Sequence, residues 1–286
     1  MAKQKTPPTS VEELPNGTRI EFWDSVDAEG NDQQRRYLVN GKRFLNVTTV
    51  LDVLAKEALL DWAARLAREG KKWRAVRAEA GERGTISHHL LLQLLTGAGA
   101  TLADLAPEHR PYGQAGFKWF FKRKPTVLEC ERMVASCDHR YAGRLDLFAE
   151  IDGLKTLVDF KTVTRWAYKK EDGVETDELY EPYAENLLQL DLYQGARIEC
   201  GLEPADRGLI VRLGPDGEFE ETFIERRVKG KKLVTVGLDP HRGVAILNAY
   251  RAKAKAANDL RAAARRAHVE KAMDQQIAGA VKELVG

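Results

Sequence analysis

The stretch from Arg132 to Lys161 constrains this chain more than any other. It places two runs of β-favouring, partly alternating residues on either side of Asp152-Gly153, a dipeptide suited to a two-residue hairpin turn in which both residues take positive φ. Pairing Ile151 with Leu154 sets Phe148 opposite Leu157, Asp146 opposite Asp159 and Arg144 opposite Lys161. Directly opposed residues have Cβ atoms roughly 4.5 to 5.5 Å apart, so two aspartates placed there repel. The two-residue period of a strand puts Lys161 on the face of Asp159, beside both carboxylates. Two readings follow. One is a surface hairpin with ordinary cross-strand ion pairs among Arg144, Lys161 and the acids. The other is a site in which the carboxylates hold a hard divalent cation and the lysine orients or activates water, giving metal-assisted hydrolysis. Phe148 and Leu157 share the acids' face, which implies partial cover and makes unpaired acids costly.

Two helical segments add polar residues. Gly84 interrupts a helical run, and Thr85 is read as the N-cap of a helix from Ile86 to Leu95. On that helix His88 shares a face with Leu92 and Leu95 and points inward, whereas His89 lies with Gln93 and Thr96 at the surface. Gln189 and Tyr193 are four apart in a helix expected from Asn186 to Ile198, so they project from one face and can reach one phosphate or one water.

Taken in order, Gly84-Thr85-Ile86-Ser87-His88, Gly143-Arg144-Leu145-Asp146, Asp159-Phe160-Lys161 and Gln189 to Tyr193 resemble the motif series G-T-x-x-H, G-x-x-D, D-x-K and Q-x-x-x-Y of the PD-(D/E)XK nuclease superfamily, in its RecB-like exonuclease branch. The resemblance spans roughly residues 40 to 230. Val47-Thr48-Thr49 before a helix, and Leu59-x-x-Trp62 within the next, are similar to the entry region of the mitochondrial genome-maintenance type of exonuclease.

The resemblance implies an α/β fold with a restriction-endonuclease-like core, a central mixed sheet flanked by helices, and additional N- and C-terminal helices. It implies a metal-dependent DNA nuclease, an exonuclease of recombination, repair or replication acting on DNA with a free end or a single-stranded segment. An endonuclease of restriction or structure-specific type, or a catalytically silent DNA-binding protein, stays open. In the branch's pattern Asp146 and Asp159 hold Mg²⁺ or Mn²⁺ with His88 and the carbonyl of Phe160, and Lys161 positions the attacking water. Gln189 and Tyr193 steady the scissile strand. Glu131 matches the acidic position before the hairpin and supports a second ion, although Glu129 has the same strand parity. Arg144 and Thr162, flanking the acids, are expected substrate contacts.

The net charge of +2 supplies no whole-molecule field for nucleic acid, so DNA affinity must come from local patches. In Phe117 to Lys124 the aromatics suit a core, while Lys118 and Lys122 are expected to contact DNA. From Arg251 to Lys271 seven Lys or Arg face two acids in an alanine-rich helix, for which a solvated face is the favoured reading. The three cysteines, Cys130, Cys137 and Cys200, form no C-x-x-C pair, so neither a disulfide scaffold nor a zinc site is expected, and no iron–sulfur cluster. No apolar run reaches membrane-spanning length and no leader follows Met1 to Ser10, so the expected location is intracellular, cytoplasmic and off the membrane.

The expected organisation is a flexible tail (1–16), a nuclease domain (17–235) and a C-terminal helical region (236–286). Asn40-Gly41 marks a hairpin, Lys56 to Arg68 an amphipathic helix, 169–178 a loop or lid, Pro182 a helix start, and Gly208 to Leu213 with Glu218 to Ile224 a second hairpin. Asp239 and Pro240 are the expected N-cap and first residue of the last helix.

Overall fold

The computed structural model describes residues 7–24, 35–51, 66–164, 166, 168–171, 174–179, 184–225, 227–229, 232–235 and 237–259. Asp152 and Gly153, at φ +54° and +76°, make the expected two-residue turn. The turn joins β8 (Leu147–Ile151) to β9 (Leu154–Thr162), with Phe148 opposite Leu157 and Leu147 opposite Val158. β9 is the centre of a five-stranded mixed sheet ordered β13-β12-β9-β8-β5, in which β12 (Arg207–Leu213) runs parallel to β9. β5 (Thr126–Cys130) and β13 (Phe219–Ile224) form its edges. The β12–β13 pair is the second hairpin expected from the sequence.

Both faces of this sheet are covered, which is why β9 reads apolar at successive positions. Val158 and Phe160 pack with Leu147, Leu209 and Val211 against α2 (Trp73–Thr96) and α3 (Arg110–Arg123). Phe148, Leu157 and Ile210 face α4 (Ala184–Glu199) through Leu190 and Tyr193. The arrangement is a mixed α/β layering, as expected.

A second, six-stranded sheet is ordered β1-β2-β3-β4-β7-β6, from β1 (Ser10–Glu13), β2 (Arg19–Trp23), β3 (Arg36–Val39), β4 (Lys42–Asn46), β6 (Met133–Ser136) and β7 (Tyr141–Arg144). Asn40 and Gly41 turn the chain between β3 and β4 with positive φ, as expected. The sheet curls until its outer strands touch. The Met133 N–H donates to a Glu12 carboxylate oxygen at 2.9 Å, and Ile20, Phe22, Tyr37 and Phe44 fill the inside.

Several expectations change. The segment 1–16 is not wholly a tail, because Ser10–Glu13 zips onto β2 along a full register and the prolines fall outside the strand. Thr85 is not an N-cap. The helix α2 runs through Gly84 without a break, and the Thr85 hydroxyl donates to the Gly81 carbonyl one turn back at 3.1 Å. The expected loop 169–178 contains β10 (Tyr168–Glu171) paired with β11 (Val174–Leu179). Val47–Leu51 is helical (α1), whereas the helix expected from Lys56 to Arg68 and the Pro182 helix start lie largely or wholly outside the described residues. A further small pair, β14 (Arg227–Lys229) with β15 (Lys232–Thr235), precedes the last helix, α5 (240–259). Asp239 caps α5 as expected, accepting from the His241 N–H at 3.0 Å. Residues 260–286 lie outside the description. Among the described residues no helix is long and apolar enough to cross a membrane.

Candidate active site

The site forms where the chain leaves one sheet for the other. β7 ends at Arg144 and β8 begins at Leu147, so Asp146 sits in the break between the sheets. Two backbone bonds pin the crossing: Leu145 N–H to the Arg132 carbonyl at 3.0 Å and Glu131 N–H to the Asp146 carbonyl at 3.0 Å. Asp146 therefore does not pair across the hairpin with Asp159 as expected. Its Oδ2 instead accepts from the Phe160 N–H at 2.8 Å. Arg144 does not face Lys161 either. It pairs with Met133 within the other sheet, and its Nε reaches Glu131 Oε2 at 2.7 Å.

Glu131 adopts left-handed φ, +49°, just past β5, and β5 carries a register shift between Val127 and Glu129. These irregularities separate the two acids that strand parity groups together. Glu131 turns to Asp146 and His88, while Glu129 pairs with the fully buried Arg197. His88 enters from α2 with its inward face, and His89 is exposed, as the helical spacing predicts. His88, Glu131 and Asp146 each offer a ligand atom, all within 4.8 Å of one another.

The imidazole defines what this cluster lacks. His88 Nε2 lies 3.0 Å from the Phe160 carbonyl, which can only accept, so Nε2 carries a proton and donates. Nδ1 faces Asp146 Oδ1 at 3.5 Å. In the neutral ring this opposes two lone pairs, a repulsion that a proton on Nδ1 or a cation between them would relieve. A nitrogen and carboxylate donor set suits a divalent ion such as Mn²⁺. Burial, then the nearby Asp146 charge, raises the Glu131 carboxyl pKa, while Arg144, His88 and Arg35 oppose the rise.

On the α4 side of β9, Asp159 is almost fully buried, with 1% of its surface exposed. Lys161 Nζ donates to Oδ1 at 2.9 Å and lies 2.8 Å from Oδ2, which receives no well-directed hydrogen bond. Gln189 Nε2 also donates to Oδ1, at 2.9 Å, and to the Tyr193 hydroxyl at 3.2 Å, while its Oε1 meets Lys161 Nζ at 3.3 Å. Burial pushes the Asp159 carboxyl up to about 6; the Lys161 charge opposes this and Asp146 adds to it. For Lys161 burial opposes the charge, but Asp159 and Asp146 outweigh it and the pKa is raised. Burial and the same two carboxylates hold the Tyr193 phenol well above its usual range. The poorly directed Oδ2 and the lone-pair conflict at His88 are the orphaned groups a metal ion would satisfy, so the residues fit one.

The remaining expected contacts separate. Thr162 follows Lys161 on β9 and alternates to the opposite face. Lys118 and Lys122 do not reach the site. They pair with Glu218 and Glu221 on or beside β13, because α3 lies across that edge of the sheet. Trp119 is fully buried, stacked edge-on against Phe160 at 5.0 Å, with its indole N–H donating to Glu221 at 3.1 Å. One neighbour has no counterpart in the sequence reading. Arg35 and Arg144 both lie over the Phe22 ring, at 5.4 and 5.1 Å, so a second guanidinium borders the Glu131 side. Nothing in the sequence near Arg35 distinguishes it from the adjacent Arg36.

No protein-family model and no curated protein matches the chain. Among solved structures, it aligns with one described as the crystal structure of SSO0001 at 16% identity, covering 72% of this chain and 74% of that one, with a TM-score of 0.34. A likeness that weak carries no argument about fold or function.

Proposed function

We propose that this chain is a metal-dependent DNA nuclease, acting as an exonuclease on a restriction-endonuclease-like core. The observation that carries the reading is the meeting of two units at one seam: the His88, Glu131 and Asp146 cluster, and an ammonium, Lys161, held by Asp159 and Gln189. Asp146, His88 and Glu131, with Asp159 beside them, would hold Mg²⁺ or Mn²⁺. Such an ion polarises a phosphoryl oxygen and favours the nucleophilic form of water.

The chain's own residues do the rest. Lys161 donates to the attacking water and orients its lone pair toward phosphorus, with Asp159 and Gln189 fixing the ammonium. The water oxygen bonds to phosphorus and gives up a proton to solvent as the phosphodiester P–O bond breaks, and the leaving oxygen takes a proton back from solvent. Gln189 and Tyr193, both buried, brace the Asp159–Lys161 pair from α4. Arg144, tied to Glu131, and Arg35 supply positive charge on the opposite side.

Degradation of end-labelled linear and closed-circular DNA, with and without Mn²⁺, tests this. Metal-dependent loss of linear DNA with circles left intact is expected. Cut circles would make the enzyme an endonuclease, and no cleavage of either would end the nuclease reading.

A further inference from the structure

A cleft of about 650 Å³ opens at the other end of β4 and β7, lined by Arg43, Phe44, Leu45, Asp138, Arg140 and Arg251. Three guanidinium groups share it with a single carboxylate. Many arginines elsewhere in the fold have partners: Arg123 and Arg144 pair with glutamates, Arg207 and Arg242 with acids, and Arg197 with Glu129. Arg43 and Arg140 are exposed and, among the described residues, make no ion pair. Like charges gathered without a counter-charge raise the free energy of the empty cleft, and an anion that accepts from two guanidinium forks lowers it.

The cleft is also built rather than incidental. Arg140 holds left-handed φ, +49°, and its carbonyl accepts from the Leu45 N–H at 3.1 Å. The turn before it is tied by the His139 N–H to Ser136 Oγ at 3.0 Å, and Arg251 donates from α5 to the His139 carbonyl. Two strands and a helix thus fix the backbone under all three arginines. Half-buried Leu45 adds apolar surface beside them, which suits the sugar face of a nucleotide as well as its phosphate.

Position selects the ligand. Arg140 and Arg144 bracket β7, so the cleft lies about 13 Å from the seam at the 3.3 Å rise of a strand. That is the length of a few nucleotides at the roughly 3.4 Å rise of a B-form strand. Arg251 brings to the cleft the basic stretch of α5, whose composition alone suits a solvated face.

We propose that this cleft is a second phosphate site, gripping the sugar–phosphate backbone of the nucleic-acid strand whose other part lies at Asp146. The identity of the ligand as a nucleic-acid strand rests on the nuclease reading; the anion chemistry does not.

The test uses the full chain in EDTA and a fluorescein-labelled oligothymidylate long enough to span both places, with anisotropy followed over a salt series. The variant is Arg43→Gln with Arg140→Asn, since asparagine tolerates left-handed φ and leaves the turn intact. Thermal melting unchanged from the parent checks the fold. The double variant is expected to bind about tenfold more weakly, with a salt slope lower by about 1.4, at roughly 0.7 per lost single-strand contact. Affinity and slope equal to the parent's would overturn the proposal. So would an oligonucleotide affinity that stays constant while pyrophosphate binding is lost, which would make the cleft a small-anion site. Failure of the nuclease reading looks different: binding that depends on these arginines, with DNA left uncut in Mn²⁺, keeps the cleft and removes the enzyme. Cutting with binding indifferent to the arginines does the reverse.

Discussion

The two sides of β9 treat charge in opposite ways. Across its outer neighbours, Lys118, Lys122 and Arg123 of α3 meet Glu218 and Glu221, and every one of those cations finds a carboxylate. At the seam, Glu131, Asp146 and Asp159 crowd around one lysine, two arginines and one histidine, and the pKa values of Glu131 and Asp159 are raised. The α3 face has the composition of a nucleic-acid surface and is scaffold by contact. The seam has the sequence of a simple hairpin and is where buried acids cluster. Clustered, buried acids with raised pKa values, rather than basic or aromatic composition, are the better pointer to chemistry.

The sharpest break would come at Lys161. Lys161→Ala should lower metal-dependent DNA cleavage by about 10²-fold or more, the usual cost of losing the alignment of a nucleophile. A wild-type cleavage rate would mean that the crowded charges of the seam are only structural. On the scaffold side, Trp119→Ala should cost about 3 to 5 kcal/mol in urea unfolding, because a fully buried indole leaves a large cavity. An unaltered unfolding curve combined with weakened DNA binding would return this helix to the nucleic-acid surface.

A finer test separates the neighbouring histidines. His88→Ala should raise the Mn²⁺ concentration for half-maximal cleavage about tenfold or more, and His89→Ala should leave it where it was. Equal responses would show that the 3.5 Å approach of His88 to Asp146 has no bearing on the metal. The smallest effect belongs to the paired lysines. Lys118→Gln with Lys122→Gln should change DNA affinity by less than about twofold and stability by less than about 1 kcal/mol, as exposed ion pairs do. A large loss of affinity would mean that these lysines leave Glu218 and Glu221 for phosphate when DNA is present.

The hairpin at Asp152-Gly153 is legible because a turn dipeptide and a two-residue period fix register together, and Phe148 meets Leu157 as read. The same logic fails further out. The strand breaks at Leu145-Asp146, a place with no glycine or proline of its own to announce that the chain changes sheets. Glu131 is legible as an acid near the site but not in its left-handed conformation, since no glycine or asparagine stands there to signal positive φ. Thr85 misleads because Gly-Thr before an apolar run is the same at a helix start and in mid-helix. Only the turn of α2 that precedes it, with the Gly81 carbonyl in reach, decides between the two. The identities of His88, Asp146, Asp159, Lys161, Gln189 and Tyr193 are readable, because short motifs survive errors of local geometry. Their grouping into a cluster and an ammonium cradle is not, since it depends on where two sheets part.

Gly143 shows how narrow that parting is. A Cβ added there would lie 2.6 Å from the Tyr193 ring and 3.0 Å from Val47, closer than the roughly 3.5 Å of ordinary carbon contact. The missing methyl acts as a gauge block: it sets the gap between β7 and α4 at the thickness of one phenol. Tyr193 meets Gln189 through its hydroxyl, and Gln189 meets Lys161, so the width of that gap is passed on, contact by contact, to the ammonium. A residue with no side chain thereby governs the alignment of a lysine on another strand.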